Sequence, residues 1–378
     1  MVSITTFLQD LAGGGAERVA VTLLNAFAIE HEVTLILARP EGPYLADLSP
    51  QIRLIPTGAA STAASIPFLA RWLRKTRPDI LFTHLTHVNV AGAIAARLAR
   101  TGTAHVAVEH NQMDLNYPRI RQRSVRAAYR VAGWIYPRVS ALVSVSEGVR
   151  DSVRRFTGIP RNNLHVIANP VVTPELRRRL LEEPAHPWLR DGGPPVILGC
   201  GRLVEQKDFG TLIEAFGLLL QKRPVRLLIL GEGEQREALQ RQIAQNGLGD
   251  AVALPGFDRN PYAAMRAARL FALSSRWEGL PTVLIEALAA GVNVVATDCP
   301  SGPAEILEGG IGRLVPVSAP RDLADAMNAS LEAPLAAALL SERAEAYSLE
   351  ISVARYQALF ERLAVRQGRD QTSRGGWT

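Results

Sequence analysis

The stretch RWEGLPTVLIEALAAG, residues 276–291, carries the clearest fold signal in this chain. Pro281 fits the first turn of a helix, Gly291 fits the C-terminal cap, and the apolar residues between them fit a buried helix. A short apolar run ends just before, at Ser274 or Ser275, and predicts a buried strand. The pattern therefore predicts a strand, a turn and a helix, which is the repeating unit of an open α/β sheet.

Two glutamates lie in and behind the predicted turn. Glu278 and Gly279 occupy the turn itself, and Glu286 lies further along the helix. Open α/β sheets bind ligands beyond the carboxyl ends of their strands, where a helix N-terminus attracts phosphate. Carboxylates at two depths would accept hydrogen bonds from the hydroxyl groups of a sugar or a ribose. A glutamate without a ligand is the commoner case, but the position in the turn favours binding.

Short apolar strands alternate with helical patterns on both sides of this stretch, and they fall into two series. The first series is 32–38, 80–83, 104–109 and 141–146, and the second is 196–200, 226–230, 252–254, 270–273 and 294–297. This rhythm is typical of parallel sheets covered by helices on both faces. A chain of 378 residues with 47% hydrophobic content can form two cores of roughly 150 to 200 residues each.

Between the two series, residues 173–195 are crowded with proline, glycine and charge, which predicts an interdomain linker. The predicted domains are 1–172 and 173–350. Residues 351–365 have the spacing of an amphipathic helix, so a helical segment 351–366 is expected after the second domain. The polar tail 367–378 is predicted to be disordered.

The composition excludes several classes of protein. No apolar run approaches the roughly 18 to 20 residues of a membrane span, and the N-terminus lacks a basic segment followed by an apolar one, so a cytoplasmic chain is expected. The two cysteines, Cys200 and Cys299, are too few for a disulfide framework and are expected to be free thiols. Because no metal-spaced His or Cys cluster and no G-x-S-x-G motif occurs, neither metallohydrolase nor serine hydrolase chemistry is expected.

Positive charge is concentrated in the first half of the chain. Residues 1–170 hold 19 Lys and Arg against 11 Asp and Glu, although the whole chain has a net charge of only +6. Such asymmetry indicates an anionic partner, for which phospholipid head groups, pyrophosphate-linked lipids and nucleic acid are the candidates. An ordinary solvated basic surface explains the same numbers.

A second turn, GCGRLVEQK at residues 199–207, follows a predicted strand and precedes a predicted helix. Arg202 and Lys207 both lie within reach of its opening. Without a metal ion, a departing nucleoside diphosphate requires positive charge from the protein, which an arginine fork and a lysine ammonium supply. A solvated basic pair is the alternative that the residues alone leave open.

A third turn, LAGGGAERV at residues 11–19, joins the first strand to the first helix. Its glycines allow the backbone to approach a phosphate closely. Gly13 and Gly15 supply the first two glycines of the dinucleotide pattern G-x-G-x-x-G, but Arg18 stands where the third belongs. The turn is therefore weak evidence for NAD binding.

Three of the seven histidines, His84, His87 and His110, follow predicted strands of the first domain, where loops should face a cleft. His110 comes directly after its strand and has Asn111 and Asp114 as polar neighbours. A lone histidine is more often structural than functional, but this placement makes His110 the first candidate for a substrate contact.

Taken together and in this order, the motifs resemble those of glycosyltransferase family 4. The matching stretches are GGGAERV at 13–19, VEHN at 108–111, VSVSEGVRDSV at 143–153, NPVV at 169–172, GRLVEQKDF at 201–209, LILGEGEQREAL at 228–239, LPGF at 254–257 and SSRWEGLPTVLIEALAAGVNVVATDCPSGPAEIL at 274–307. The resemblance covers nearly the whole chain. It implies a retaining enzyme with the GT-B fold, an α/β fold of two Rossmann-like, doubly wound parallel-sheet domains facing an interdomain cleft, with the final helix returning to the first domain.

The resemblance also implies roles for the matching positions. Glu278 would contact hydroxyls of the donor sugar, and Glu286 would hold the ribose. Arg202 and Lys207 would clamp the diphosphate. His110 would lie beside the transferred sugar and completes, with Glu278, Arg202 and Lys207, the predicted catalytic set. The remaining predicted donor-binding positions are Gly14, Gly15, Gly231, Phe257, Gly279, Leu280, Thr282 and Val283. The predicted acceptor-binding residues are His84, Asn111 and Asp114.

Retention implies that the new bond forms on the face from which the diphosphate leaves, with a leaving-group oxygen accepting the acceptor's proton. We expect no metal ion and no cofactor besides the nucleotide sugar, because cationic side chains and a helix N-terminus would replace a divalent ion. One position departs from the family, since Asp208 stands where many relatives have glycine. We expect Asp208 to cap the next helix and to point away from phosphate.

The acceptor is indicated by a basic segment, PRIRQRSVRAAYRVAGWIYPR at residues 118–138. Its six arginines are interleaved with Tyr129, Trp134 and Tyr136, a pattern typical of reversible binding to anionic membrane. The pattern favours a lipid-linked glycan acceptor at the inner face of a bacterial cytoplasmic membrane, with no nucleic-acid partner. An arginine-rich face on an ordinary core helix is the alternative.

Three other functions fit parts of the sequence. A nucleotide-sugar epimerase can share the fold and would need no acceptor, and a non-catalytic binding protein would keep the nucleotide-sugar pocket. An NAD-dependent oxidoreductase is disfavoured by Arg18 and by the clamp of the second domain. From the resemblance, we expect a UDP-sugar donor that carries a hexose or an N-acetylhexosamine, rather than a GDP-sugar.

Overall fold

Within the described residues, 1–12, 14–160 and 164–374, seven parallel strands form the sheet of the first unit, which comprises residues 1–170 and the chain from residue 349 onward. The structure is a computed structural model. The strands are β1 Ser3–Leu8, β2 Glu32–Leu37, β3 Arg53–Pro56, β4 Ile80–His84, β5 Ala104–Glu109, β6 Ala141–Ser144 and β7 Leu164–Val166. They lie in the order β3-β2-β1-β4-β5-β6-β7.

Helices connect these strands and cover their apolar residues. They are α1 Gly15–Phe27, α2 Ile66–Thr76, α3 Thr86–Ala99, α4 Met113–Asn116, α5 Arg123–Ile135 and α6 Glu147–Thr157. Every residue of β4, β5 and β6 is buried, as expected for central strands of a parallel sheet. Leu81 of β4 packs in one cluster with Leu73 of α2 and Val88 of α3. This packing helps to hold the carboxyl ends of β4 and β5 in place.

The second unit, residues 171–348, is described without a gap and contains a sheet of six parallel strands. The strands are β8 Val196–Cys200, β9 Arg226–Leu230, β10 Val252–Gly256, β11 Leu270–Leu273, β12 Asn293–Thr297 and β13 Arg313–Val315, in the order β10-β9-β8-β11-β12-β13. The helices are α7 Pro174–Arg179, α8 Phe209–Leu220, α9 Arg236–Gln245, α10 Pro261–Ala267, α11 Thr282–Ala289, α12 Pro303–Ile306, α13 Pro320–Glu332 and α14 Ala337–Glu345. Phe216 of α8, Ile229 of β9 and Leu323 of α13 share one core.

The strands predicted from apolar runs are all confirmed, with ends that agree to within two residues. Four strands lie outside those runs. One is β1, which the sequence analysis places only as the strand before the first glycine turn, and the other three, β3, β7 and β13, lie at sheet edges and are partly exposed. Edge strands need less apolar character, so their sequence signal is weaker. The stretch that opened the sequence analysis forms α11, with Pro281 as its N-cap, one position before the predicted first turn, and with Gly291 in the left-handed region at φ 71° just after its end.

The segment 173–195 is not the linker that its composition predicts. It belongs to the second unit, and the crossing from the first unit falls between Pro170 and Val171. The Thr173 side chain accepts a hydrogen bond from Leu176 N at 3.1 Å and so caps α7, while Leu176 itself is buried. Proline, glycine and charge in this segment therefore mark short helical turns that are anchored by one apolar side chain.

The last helix, α15 Leu349–Arg374, belongs to the first unit, as the predicted fold requires. Tyr356 and Phe360 pack edge-on against Phe27 of α1 and Phe82 of β4, with ring centroids 5.3 to 6.2 Å apart. The helix extends to Arg374, into the segment 367–378 for which disorder is predicted, because Arg and Gln favour helix and one glycine does not end it. Residues 375–378 lie outside the described residues. No described helix is both long and apolar enough to cross a bilayer.

We expect Phe360→Ala to lower the free energy of unfolding of the first unit by about 3 to 5 kcal/mol, since it removes a fully buried ring from this aromatic cluster. Glu361→Ala, at an exposed position of the same helix, is the matched control and should change that free energy by less than about 0.5 kcal/mol. Urea denaturation measures both. Equal midpoints for the two variants would show that the cluster does not anchor α15.

Candidate active site

Glu278 lies in the turn after β11, and side chains from two loops hold its carboxylate. Oε1 accepts hydrogen bonds from Lys207 Nζ and from Ser275 Oγ, each at 2.6 Å. Oε2 accepts a longer hydrogen bond, 3.4 Å, from Gln206 Nε2. The side chains of Glu278 and Lys207 are 7% and 13% exposed. They form a nearly buried ion pair in which each charge compensates the other.

The order of strands explains why these two residues meet. Lys207 belongs to the loop after β8 and Glu278 to the loop after β11, and β8 and β11 are neighbours in the sheet. Ser274 Oγ donates a hydrogen bond to Lys207 O at 2.8 Å, and Arg276 N donates one to Gln206 O at 2.8 Å, so the loops are joined along their backbones. A cation and a carboxylate therefore share the edge of the sheet where open α/β folds bind ligands.

Helix α11 begins at the same turn. Pro281 is its N-cap residue, which leaves the amides of Thr282 and Val283 without acceptors inside the helix. Such amides, together with the helix dipole, favour an anion. Leu280 before them and Glu286 after them are buried. The amides predicted to bind diphosphate and the glutamates predicted to bind hydroxyls thus belong to one continuous turn and helix.

A loop that sequence reasoning did not single out braces this turn. Ser301 Oγ donates a hydrogen bond to Gly279 O at 2.7 Å. Gly302 has a φ of 96°, and a Cβ at this position would lie 2.3 Å from Cδ of Pro281. Only glycine fits here, so the Pro-Ser-Gly sequence after β12 was an available signal for a tight supporting turn.

Gly231 allows the loops after β8 and β9 to approach each other closely. Its φ is 140°, and a Cβ would lie 1.9 Å from Gly201 O, so a side chain is excluded. Leu203 N donates a hydrogen bond to Glu232 O at 2.8 Å and completes the contact. The loop after β8 also carries Arg202. Its side chain is exposed and makes no hydrogen bond or ion pair within the described ranges.

Phe257 stands directly after β10, at the same edge as the other carboxyl-end loops of this sheet. Its side chain is 78% exposed. The preceding glycine links the two neighbouring strands, because Gly231 N donates a hydrogen bond to Gly256 O at 2.8 Å. An exposed aromatic ring is suited to stacking on a nucleotide base, and that role stays a prediction.

Asp208 does not cap α8 in the way that the sequence predicts. It occupies the N-cap position, but its φ of 48° is left-handed and its side chain makes no capping hydrogen bond. The carboxylate instead accepts hydrogen bonds from Arg276 Nε at 3.0 Å and from Thr211 Oγ1 at 2.9 Å. Left-handed geometry suits glycine best and tolerates aspartate, so the departure from glycine has a backbone cause, and Arg276 compensates the added charge.

The glycine turn of the first unit is described from Gly14 onward, and Gly13 lies outside the described residues. Gly14 is the N-cap of α1 and Gly15 its first residue. The Glu17 carboxylate lies against the turn, because a Cβ on Gly14 would be 2.1 Å from its Oε2. Burial raises the pKa of Glu17. The turn thus already lies against one carboxylate. The contact of this turn with phosphate stays a prediction.

His84 and His110 meet where β4 and β5 end. His84 Nδ1 lies 2.9 Å from His110 Nε2, and the two rings are stacked at an interplanar angle of 27°. Burial lowers the pKa of His110 to about 4 and that of His84 well below its ordinary value, to which the neighbouring His110 adds. Both imidazoles are therefore neutral at pH 7. The structure brings together two residues that the sequence assigned to different substrates.

A buried carboxyl group precedes His110 and was missed by sequence reasoning. Glu109 is 1% exposed and accepts hydrogen bonds from Thr86 Oγ1 at 2.9 Å, from Asn89 Nδ2 at 3.1 Å and from the Tyr136 hydroxyl. Burial raises its pKa to about 7, against these hydrogen bonds, which lower it. Its position at a strand end beside His110 was the one available signal.

The other predicted acceptor residues lie near His110 in sequence but differ in their contacts. Asn111 is exposed. Asp114 accepts hydrogen bonds from Ser152 Oγ and, at 2.8 Å, from Arg155 Nη2, so its carboxylate is bound to α6. Acceptor contact by Asp114 would require that these bonds be shared or exchanged.

The basic segment 118–138 is only partly the amphipathic surface that its sequence predicts. Tyr129 and Tyr136 are 4% and 1% exposed. The Tyr129 hydroxyl accepts a hydrogen bond from Asn116 Nδ2, and the Tyr136 hydroxyl donates one to Glu109. Trp134 is 66% exposed, and the guanidinium of Arg138 lies 4.4 Å from its ring centroid. Two of the three aromatic residues therefore belong to the core rather than to an interfacial face.

Both cysteines are free thiols, as predicted. Burial raises the pKa of Cys299 to about 12, and the nearby Glu278 carboxylate raises it further. Among the residues that the structure describes, no group of three or more His, Cys, Asp or Glu is placed to hold a metal ion.

The Glu109 carboxyl group makes the stability of the first unit depend on pH. Because its pKa is raised from an ordinary 4.5 to about 7, its stabilising effect is complete below about pH 4.5 and is lost as the pH rises through about 7. Relative to the wild type, Glu109→Gln should therefore gain up to about 3 kcal/mol of stability between pH 5 and pH 8. Urea denaturation at both pH values measures this, with the exposed Glu32→Gln as control. A difference that does not vary with pH would show that Glu109 is ionised throughout.

Comparison with known proteins finds a glycosyltransferase family model in each half of the chain. The model for Glycosyltransferase Family 4 matches residues 13–175, and that for Glycosyl transferases group 1 matches residues 182–347. The crystal structure of Anabaena Alr3699/HepE in complex with UDP superposes with a TM-score of 0.76 at 20% identity, over 95% of this chain and 99% of that one. This likeness confirms the predicted α/β fold with two parallel-sheet domains, the GT-B fold.

Two curated relatives are similar in sequence. The N-acetylgalactosamine-N,N'-diacetylbacillosaminyl-diphospho-undecaprenol 4-alpha-N-acetylgalactosaminyltransferase of Campylobacter jejuni is 31% identical over 88% of this chain and 91% of that protein. The lipopolysaccharide core biosynthesis glycosyltransferase LpsD of Rhizobium meliloti is 27% identical over 78% of each. With the family models matching both halves in order, the chain belongs to glycosyltransferase family 4, the group 1 glycosyltransferases.

Proposed function

We propose that this glycosyltransferase moves a hexose or an N-acetylhexosamine, with retention, from a UDP-sugar to a glycan or lipid-linked glycan in the synthesis of a bacterial cell-surface polysaccharide. The observation that carries the proposal is the buried contact of 2.6 Å between Lys207 Nζ and Glu278 Oε1, in the turn that leads to the N-terminal amides of α11. One edge of one sheet thus offers a cation and N–H donors for a diphosphate next to a carboxylate for sugar hydroxyls.

The proposed chemistry rests on fixed charge. Lys207, Arg202 and the amides of Thr282 and Val283 stabilise the negative charge that develops on the departing diphosphate. Glu278 orients the sugar through its hydroxyls, and Glu286 holds the ribose. An oxygen of the leaving phosphate accepts the proton of the acceptor hydroxyl on the same face of the sugar, so the anomeric configuration is kept. These protein groups take the role that a divalent ion has in other transferases.

The relatives support the proposed donor and acceptor classes. The Campylobacter relative is named for transfer of N-acetylgalactosamine to a diphospho-undecaprenol glycan, and the Rhizobium relative for lipopolysaccharide core synthesis. The similar Anabaena structure holds UDP. A thermal-shift panel of UDP, GDP, ADP and NAD tests the base, and UDP alone should raise the melting temperature. Stabilisation by NAD alone would instead favour an oxidoreductase.

Incubation with UDP-sugars and a membrane extract tests the reaction. A glycan whose mass rises by one sugar, with the anomeric configuration of the donor in its NMR spectrum, would support a retaining transferase. Conversion of the UDP-sugar to its epimer without an acceptor would support an epimerase. UDP-sugar binding with neither product would support a non-catalytic binding protein.

Lys207→Gln should lower kcat/KM for sugar transfer on the order of 10²- to 10³-fold, because a fixed cation at the leaving group is lost. It should also lower the free energy of unfolding by about 3 to 5 kcal/mol, since buried Glu278 loses its cation. The matched control is Lys222→Gln, which breaks an exposed ion pair with Asp325. Steady-state kinetics below both melting temperatures make the comparison. Equal kcat/KM in the two variants would remove Lys207 from the chemistry.

We also propose peripheral contact with anionic membrane at the cytoplasmic face, through the exposed arginines that precede and begin α5. These are Arg119, Arg121 and Arg123. Vesicles that contain anionic lipid should bind the protein more tightly than neutral vesicles, and a triple substitution of these arginines by glutamine should abolish the difference. Arg97→Gln, at another exposed arginine of the first unit, is the control. Equal binding to both kinds of vesicle would exclude membrane contact by charge.

A further inference from the structure

Only one hydrogen can lie in the contact between the two imidazoles at the ends of β4 and β5. His84 Nδ1 and His110 Nε2 are 2.9 Å apart, so one of these nitrogens carries a hydrogen and the other accepts it. The two arrangements differ in what they leave at the far nitrogens, His84 Nε2 and His110 Nδ1. A single structural fact about His84 distinguishes them.

His84 is fully buried, and its Nε2 has no hydrogen-bond partner among the described residues. If His110 donated to His84, the proton of neutral His84 would sit on Nε2 and a buried N–H would have no acceptor. If His84 donates, Nε2 is instead an unprotonated nitrogen. Buried N–H groups without an acceptor are rarer in proteins than buried acceptors without a donor, so the second arrangement is favoured.

A doubly protonated ring is excluded by burial. Both pKa values lie below the ordinary value, that of His110 at about 4, so neither histidine carries a charge at pH 7. His110 therefore accepts a proton at Nε2 from His84 and keeps its own proton on Nδ1. His110, which is 9% exposed, can then act as a hydrogen-bond donor at Nδ1 and not as a base.

We propose that His84 is a positioning residue, which holds His110 as the Nδ1–H tautomer so that His110 donates a hydrogen bond to an oxygen of the transferred sugar. The choice of a sugar oxygen rests on the proposed function, whereas the tautomer does not. A donor suits a retaining transferase, in which a phosphate oxygen and not a side chain takes the acceptor's proton.

The backbone around both rings is fixed in a way that serves this contact. Leu85, directly after His84, has a φ of 73°, a region that a bulky residue rarely adopts and that marks strain held by its surroundings. Leu85 N donates a hydrogen bond to Val108 O at 3.1 Å. Asn89 Nδ2 donates to Val108 O at 2.9 Å and to Glu109 Oε1. The ends of β4 and β5 are thus bound to each other on the residues adjoining both histidines.

The direct test is long-range proton–nitrogen NMR on protein labelled with ¹⁵N-histidine, at pH 7 and without substrate. In the wild type, the His110 signals should show a protonated Nδ1 and an unprotonated Nε2. A His110 ring that is protonated at Nε2 would overturn the proposal. This measurement needs no variant and no activity, so it stands even if UDP-sugar transfer fails, whereas absence of UDP binding would sink the proposed function alone.

Two variants of His84 distinguish the effect of its N–H donor from the effect of its bulk. Asn can place an N–H where His84 Nδ1 lies, whereas Leu has similar bulk and no donor. His84→Leu should release His110 to the Nε2–H form and lower kcat roughly 10- to 100-fold, less than the loss of an oxyanion-type donor. His84→Asn should keep the Nδ1–H tautomer and recover most of the rate. Equal losses in both variants, with the His110 tautomer unchanged, would overturn the proposal. His165→Asn, at a histidine outside both sites, is the control for labelling and folding.

Discussion

The Lys207–Glu278 ion pair is the interaction on which the proposed chemistry of the second unit depends. Moving two such charges out of water costs several kcal/mol for each ion, and only close contact with further hydrogen bonds offsets that cost. Ser275 and Gln206 supply those hydrogen bonds at 2.6 and 3.4 Å. The loops after β8 and β11 must therefore be held in register. Hydrogen bonds from Arg276 N to Gln206 O and from Ser274 Oγ to Lys207 O join the two loops, and the tight turn at Gly302 packs against the loop after β11.

The buried polar groups at the strand ends of the first unit are neutral, unlike the ion pair of the second unit. Among the residues that the structure describes, His84, His110 and Glu109 are buried and form no ion pair, so burial favours the uncharged form of each. Neutral hydrogen bonds fix direction rather than charge. The proposed reaction has a use for each kind of group, because fixed cations offset the charge of a departing diphosphate and neutral hydrogen-bonding groups orient hydroxyls.

The sequence predicts most of this fold because the strongest signals are local. Apolar runs mark the central strands, and Gly291 marks the end of α11 because the chain there is left-handed. The spacing of Tyr356 and Phe360 marks the buried face of α15. Local signals fail where a partner lies far along the chain. The composition of 173–195 does not reveal that Leu176 is buried, and the tail beyond residue 367 remains helical as far as Arg374.

The site is predicted by residue but not by contact. Lys207 and Glu278 were chosen from separate turns, and only the order of strands makes them neighbours. Tyr136 was assigned to a membrane-facing segment although its hydroxyl binds Glu109, a contact across 27 positions. Asp208 was predicted from side-chain chemistry, whereas its left-handed backbone decides its geometry. In each case a distant or conformational constraint outweighed a local preference.

The central claim is that fixed side chains and amides neutralise the leaving diphosphate. The rate of sugar transfer without divalent metal tests this claim most directly. The measurement is the initial rate at saturating UDP-sugar after treatment with EDTA, compared with the rate after Mg²⁺ is added back. We expect rates that agree within about twofold, since no proposed step requires an ion to offset the charge. A loss of about tenfold or more that Mg²⁺ restores would contradict it.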